Sequence, residues 1–353
     1  MKAYIKGIGC ISPQETFSNG RLPAEMKIYP GPLMKCVEPA YKEYINPIAI
    51  RRLSRIIRSG ITAAIISSRE AGVQNPDAII TGTGMGCTED TEKFLTTMLD
   101  NNETLLNPTN FIQSTYNTIS AQIAITLKCT AYNSTYVHRG FSFESALLDG
   151  MYLIEEQEAG NILIGGIDEI TEQHYAITSL NNLWKKERID SAAMLNSQTA
   201  GTLPGEGAVF ITLGHEPSSN GYPGLYEPYM FYKPKDAAVI TKHITTYLNR
   251  CGLNISDVDL ILLGNNGDVN DDAVYQTLSD GLFKDTVTGF FKHLCGEYHT
   301  ASAFAVWLGA NIIREGSVPS YVLKGSVSPF KPKRILIYNH YRNANHSVML
   351  LEK

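Results

Sequence analysis

Four apolar runs punctuate the chain: "DAIITGTGMG" (77–86), "NILIGGIDE" (161–169), "LILLGNNGD" (260–268) and "RILIYNHYR" (334–342). The first three stop at a Gly or Asn turn, and the fourth resembles them. Runs of this length without polar alternation predict strands covered on both faces, as in the parallel sheets of α/β proteins. Helical spacing of apolar positions falls between them, over 55–72, 143–157, 237–250 and 299–313. Each series closes with one more strand, "GAVFITLGH" (207–215) and "SVMLLEK" (347–353), and the alternating "MKAYIKGIGCISP" opens the chain as a strand. The order helix, strand, helix, strand, closing strand therefore occurs twice. The interval is 83 residues from Ile79 to Ile162 and 75 from Leu260 to Ile335. Such repetition predicts a pseudo-twofold α/β fold with a site where the halves meet. The expected division is a first half over 1–215, a join over 216–236 rich in Gly, Pro, Ser and Tyr, and a second half over 237–353.

The composition narrows the function classes. A chain of 353 residues that is 43% hydrophobic can build a large core, and a net charge of −5 argues against a general nucleic-acid binder. No apolar run approaches the ~20 residues that span a bilayer. The first residues are too short and interrupted an apolar stretch for a signal peptide. Six cysteines at 10, 36, 87, 129, 251 and 295 form neither a zinc framework nor a disulfide scaffold, and read as reduced thiols of a cytoplasmic protein.

One stretch poses a chemical question. "TYVHRGFSFESALLDG" (135–150) reads as a strand that turns sharply into a helix. Such a bend often carries a nucleophile, with free N–H groups of the helix start beside it. No cysteine stands here. Several other stretches bear on this: "IKGIGCISPQ" (5–14), "ITGTGMG" (80–86), "GTLPGEGAVFITL" (201–213) and "KHLCGEYHTASA" (292–303). In that order, on a duplicated scaffold, they resemble the β-ketoacyl synthases of the thiolase fold. The resemblance implies a five-layered α-β-α-β-α arrangement and covers nearly the whole chain. Active members of that family use a Cys at the bend and two His residues. The resemblance puts Gly140 at the Cys position, Asn266 at the first His and Glu297 at the second, with the family's Lys kept as Lys292. The loop that gates the family's pocket becomes "NHYRNANHS" (339–347), keeping Asn345 and an aromatic at Tyr341.

The residues agree with a loss of that chemistry. Glycine forms no thioester, and Asn266 cannot cycle a proton near neutral pH as imidazole does. An ionised Glu297 would repel the carboxylate and enolate that a His stabilises. Ser142, two residues past the turn, is a substitute nucleophile or, more simply, a capping hydroxyl. Cys295 is a second substitute if it faces the cavity, or else a small apolar core residue. His138 reads as a packing or interface residue. His293, Glu297 and His299 cluster closely enough to suggest a metal, but His299 falls off the helical face that His293 and Glu297 share at i, i+4, and a Lys292–Glu297 ion pair is the simpler account. "GTGMG" lacks dinucleotide-loop spacing and reads as a tight turn. No cofactor or metal is expected.

Arg51, Arg55 and Arg58 line one side of a helix start, and could form a ridge for an acidic acyl carrier protein. Together these readings imply a chain-length-factor-type partner of an active ketosynthase, in fatty-acid, polyketide or polyene acyl-chain synthesis. The alternatives are an acyltransferase, decarboxylase or thioesterase using Cys295 or Ser142, and a non-catalytic homodimer that binds acyl groups or carrier protein. Two further expectations follow. The segment 131–138 lies at a dimer interface, with the same chain or a homologue, and Gly140 leaves space where a thiol would stand.

Overall fold

The computed structural model describes residues 1–18, 21–104, 106–325 and 327–353. Eleven strands form one hydrogen-bonded sheet. In the first half these are β1 (Lys2–Ile11), β2 (Ala78–Gly82), β3 (Tyr132–Tyr136), β4 (Asn161–Asp168) and β5 (Gly207–Gly214). They are followed by β6 (Gly224–Tyr226), β7 (Tyr229–Tyr232), β8 (Leu260–Leu263), β9 (Val287–Phe290), β10 (Arg334–Tyr341) and β11 (Asn345–Glu352). The order across the sheet is β3-β2-β4-β5-β1-β6-β11-β10-β8-β9, with β7 also on β11. This order is a palindrome. In each half two parallel contacts are followed by antiparallel ones: β2 pairs with β3 and β4 as β8 pairs with β9 and β10. Ile80 faces Ile164 across β2 and β4, and Leu262 faces Ile337 across β8 and β10. The expected pseudo-twofold relation of "AIITG" and "LILLG" is met.

The halves join edge to edge through β1 and β6, where Lys2, Ala3 and Tyr4 pair with Tyr226, Leu225 and Gly224. The segment 216–236 is thus more than the irregular join that its composition suggested. It carries β6, which flanks β11 as β1 flanks β5, and β7. We keep 216–236 as our proposed join between halves over 1–215 and 237–353, with β6 and β7 inside it.

Among the helices that pack on this sheet are α1 (Arg55–Ala71), α2 (Thr118–Leu127), α3 (Ser142–Glu155), α4 (Ala237–Arg250), α5 (Val269–Asp280) and α6 (Ala301–Glu315). Side chains alternate across each strand, so neighbouring strand residues enter different cores. Ile79, Leu163 and Phe210 pack with α1 and α2, whereas Ile80, Ile164 and Ile211 pack with α3 and α6. In the second half Ile261, Leu336 and Leu350 pack with α4 and α5, and Leu262, Ile337 and Met349 turn to α6. Helix α6 is apolar or small all round and buried from Ala301 to Ile313. It touches β1, β4, β5, β10 and β11, which fits a helix shared by both halves. Close approach requires glycine at two points. A Cβ on Gly9 would lie 2.0 Å from the Ala63 carbonyl oxygen of α1, and one on Gly82 would lie 2.3 Å from that of Ser142. Gly82 thereby lets the end of β2 seat directly on the head of α3. Among the described residues no helix is long and apolar enough to cross a membrane.

Strand β3 ends the sheet, bonded to β2 on one side and to no described strand on the other. Tyr132, Val137 and, on α3, Tyr152 stand exposed beside this edge. An unpaired edge with apolar neighbours invites another strand. We expect the purified chain to be at least dimeric at micromolar concentration, alone or with a homologue. The double variant Tyr132→Glu, Val137→Glu should dissociate it. Light scattering coupled to gel filtration checks both, and a wild-type monomer with no tendency to associate would contradict the expectation.

Candidate functional site

Two loop systems meet at the end of α3 and α6. On one side, a 3₁₀ turn over Arg139–Phe141 leads from β3 into α3. The Ser142 hydroxyl accepts from the His138 N–H (2.8 Å) and donates to the Arg139 carbonyl (2.8 Å). That buried hydroxyl ties together the turn before α3, and among the described residues no N–H of α3 bonds to it, so the capping role expected of it is corrected. His138 is exposed, its ring set edge-on to Phe141. Gly140 is buried beneath the β10–β11 hairpin. A Cβ there would stand 2.6 Å from the Tyr341 Cβ and 3.1 Å from the Asn345 Cβ. The expected vacancy at Gly140 is therefore corrected: Tyr341 and Asn345 fill it. The hairpin turn is tight, with Arg342 at φ +54°, Asn343 at φ +47°, and Ala344 N–H bonded to the Tyr341 carbonyl (3.2 Å).

On the other side lies a buried polar network. Lys292 Nζ donates to Glu297 Oε2 (2.8 Å) and to the His340 carbonyl (3.1 Å). Asn266 Nδ2 donates to the same Glu297 oxygen (2.8 Å) and to Asp271 Oδ2 (3.1 Å). The Asn266 N–H is received by Asp272 Oδ1 (2.9 Å). Lys292, Glu297 and Asn266 are each at most 5% exposed. Burial pushes the Glu297 carboxyl above its usual range, and Lys292 and Asn266 pull it back. Three of the residues picked out in the sequence thus touch one another, and they spend their polar groups on one another. The His340 ring is held neutral by burial and by the nearby Lys292.

Cys295 does not join them. It lies buried in the central core, where burial raises its thiol pKa. The suggested His293, Glu297 and His299 grouping also separates. His293 Nε2 meets the Tyr321 carbonyl (2.8 Å), while the His299 ring lies on Tyr341, 4.6 Å between centroids. The arginine ridge does not form as drawn. Arg51 precedes α1, Arg58 lies over the Tyr41 ring, and Arg55 turns inward to a two-pronged pairing with Glu206, one arm at 2.6 Å.

A cleft of about 260 Å³ opens between the two loop systems, beside a second recess of about 260 Å³ that shares Trp184, Glu297, Tyr341 and Arg342. Several lining residues carry no signal that sequence reasoning used. Asp168, at the end of β4, accepts from Thr83 Oγ1 and from the Gly84 and Met85 N–H groups with one oxygen. With the other it accepts the Thr300 N–H and hydroxyl at the head of α6. "GTGMG" is accordingly a turn bound to a carboxylate. Its neighbour Glu169 is 6% exposed; one carboxyl oxygen accepts no hydrogen bond among the described residues, although Arg55 Nη2 stands 3.6 Å from it. Burial raises its pKa to about 7. His174 and His299 line the same cleft, and burial lowers both. Among the described residues no three His, Cys, Asp or Glu side chains come together to hold a metal.

Residues 32–202 match the family model for the N-terminal domain of β-ketoacyl synthases. The chain is thus similar, over just under half its length, to that family's N-terminal domain. Its fold agrees throughout with solved ketosynthase structures. The ishigamide ketosynthase/chain length factor superposes with a TM-score of 0.82 at 16% identity, covering 100% of this chain and 99% of that one. The ketosynthase ApeO in complex with its chain length factor ApeC from Xenorhabdus doucetiae gives 0.76 at 16%, covering 99% and 97%. A type II polyketide acyl carrier protein with its ketosynthase, AntDE:AntF, gives 0.78 at 13%, covering 99% of each. No curated protein sequence matches the chain.

Two outcomes are expected from this site. Lys292→Met should cost about 3–5 kcal/mol in urea denaturation, because it strands a buried Glu297. The double variant Lys292→Met, Glu297→Leu should recover most of that loss. The second concerns Glu169, whose carboxyl holds its proton more tightly folded than unfolded. Unfolding then releases a proton between the ordinary glutamate pKa of 4.5 and about 7, so stability falls as pH rises through that window. Relative to Glu169→Gln, the wild type should lose on the order of 2–3 kcal/mol between pH 5 and pH 8 in denaturation curves.

Proposed function

We propose that this chain is a non-catalytic, chain-length-factor-type partner of an active ketosynthase in acyl-chain synthesis on a carrier protein. The observation that carries the reading is the state of Gly140, Asn266 and Glu297. We take these as the counterparts of the family's Cys and two His residues. The first is capped by Tyr341 and Asn345, and the other two are joined through a buried bond to each other and to Lys292. None of these three positions offers a group to accept an acyl chain or an imidazole to polarise a carbonyl. The likeness of the fold to ketosynthase and chain-length-factor structures, including complexes with each other and with carrier protein, supports a role in the same kind of assembly. Arg51 and Arg58 remain our proposed carrier-docking residues, without Arg55.

The purified chain should condense nothing by itself, yet alter the product length of a Cys-containing ketosynthase that co-purifies with it. Radiolabelled extension assays and intact-mass measurement after incubation with acyl- and malonyl-loaded carrier protein test this. An acyl adduct on the chain, or turnover by it alone, would favour the acyltransferase, decarboxylase or thioesterase reading. Association only with itself would favour a homodimeric binding module. Gly140→Cys should not restore condensation, and it should also lower the melting temperature, since its Cβ would have to displace Tyr341.

A further inference from the structure

The rim of the cleft holds two arginines in an unusual state. Arg139 has φ +47° and Arg342 has φ +54°, the left-handed region that costs a residue with a Cβ about 1–2 kcal/mol. Gly or Asn would sit there at less cost, as Asn343 does next door. The chain keeps the same cationic residue at both positions, from opposite loop systems, and both line one cleft. Both side chains are exposed, and neither guanidinium meets an acceptor or an aromatic face among the described residues. Burial lowers the His299 pKa, and both arginines lower it further, which places them around one ring.

The walls below them are chiefly apolar, with Ile170, Leu183, Trp184 and Tyr341. The floor already holds carboxyls, Asp168 and Glu169, with Glu297 in its pair. Two free guanidiniums over such walls call for an anionic head on an apolar, flat body. The carboxyls of the floor favour a single negative charge over a phosphate dianion. A thioester carbonyl carries no charge to satisfy either arginine.

We propose that this cleft binds a free small carboxylic acid with an aromatic or unsaturated body, its carboxylate between Arg139 and Arg342. Binding of a free acid is separate from the role as partner subunit, and neither stands or falls with the other. The size fits: each recess approaches the lower end of the volumes that hold small ligands.

Calorimetric titration of the full chain with trans-cinnamate, and with cinnamamide as the neutral isostere, tests it. Cinnamate should bind saturably, with cinnamamide at least about tenfold weaker. Arg139→Asn and Arg342→Asn suit the positive φ better than arginine does, so each should weaken cinnamate by about tenfold without lowering the melting temperature. The amide binding as well as the acid would overturn the proposal, as would affinities indifferent to both substitutions. Absence of saturable binding up to about 10 mM would overturn it too. Phosphopantetheine binding more tightly than cinnamate at the same arginines would make the cleft a channel for a carrier arm and so also overturn it.

Discussion

A helix that is apolar on every side can exist in water only if other elements cover it completely. Helix α6 is such a helix, and the architecture follows from covering it. Strands of both halves must turn a face toward it, which is why the sheet repeats its order on either side of the β1–β6 seam. The head of α6 then falls where loops from both halves converge. Asp168 secures that meeting: its carboxylate holds the turn after β2 with one oxygen and the α6 start with the other. The cleft is therefore a product of the core, and it persists whatever chemistry its lining can perform.

The same setting governs the polar groups beneath the cleft. Buried polar groups must be satisfied, and removing one of them leaves its neighbours unpaired. Here they satisfy one another, Asn266 with Glu297 and Glu297 with Lys292. At Gly140 a hairpin with two positive-φ residues brings Tyr341 down upon the bend. Both arrangements are local to the loops around the ends of the inner helices and strands.

Much of the fold was legible because its strands are continuous apolar runs and its helices have regular spacing. The expected bounds of α4 were met at 237–250, and α3 began one residue early, at Ser142. Helix α6 began at Ala301, two residues later than its apolar pattern, because the Thr300 N–H and hydroxyl are bound to Asp168. β6 and β7 were missed: strands of three and four residues show no period, and pairing with β1 and β11 alone defines them. At the site, order along the chain pointed to Gly140, Asn266 and Glu297, and the structure brings Asn266 and Glu297 into contact. The contact of Tyr341 with Gly140 could not, being set by a register about 200 residues away in sequence. Nor could the inward turn of Arg55 toward Glu206, or the left-handed backbone of Arg139 and Arg342, since arginine carries no preference for it.

The open edge of β3 bears on how the cell must make this protein. A strand with one unpaired side and exposed tyrosines beside it is a template for any extended segment nearby, including another newly made copy. Chains synthesised in surplus would feed aggregation and proteolysis, whereas chains made in step with whatever covers that edge would escape both. Supply matched to demand, through linked expression or assembly during translation, thus becomes a requirement written into a five-residue strand.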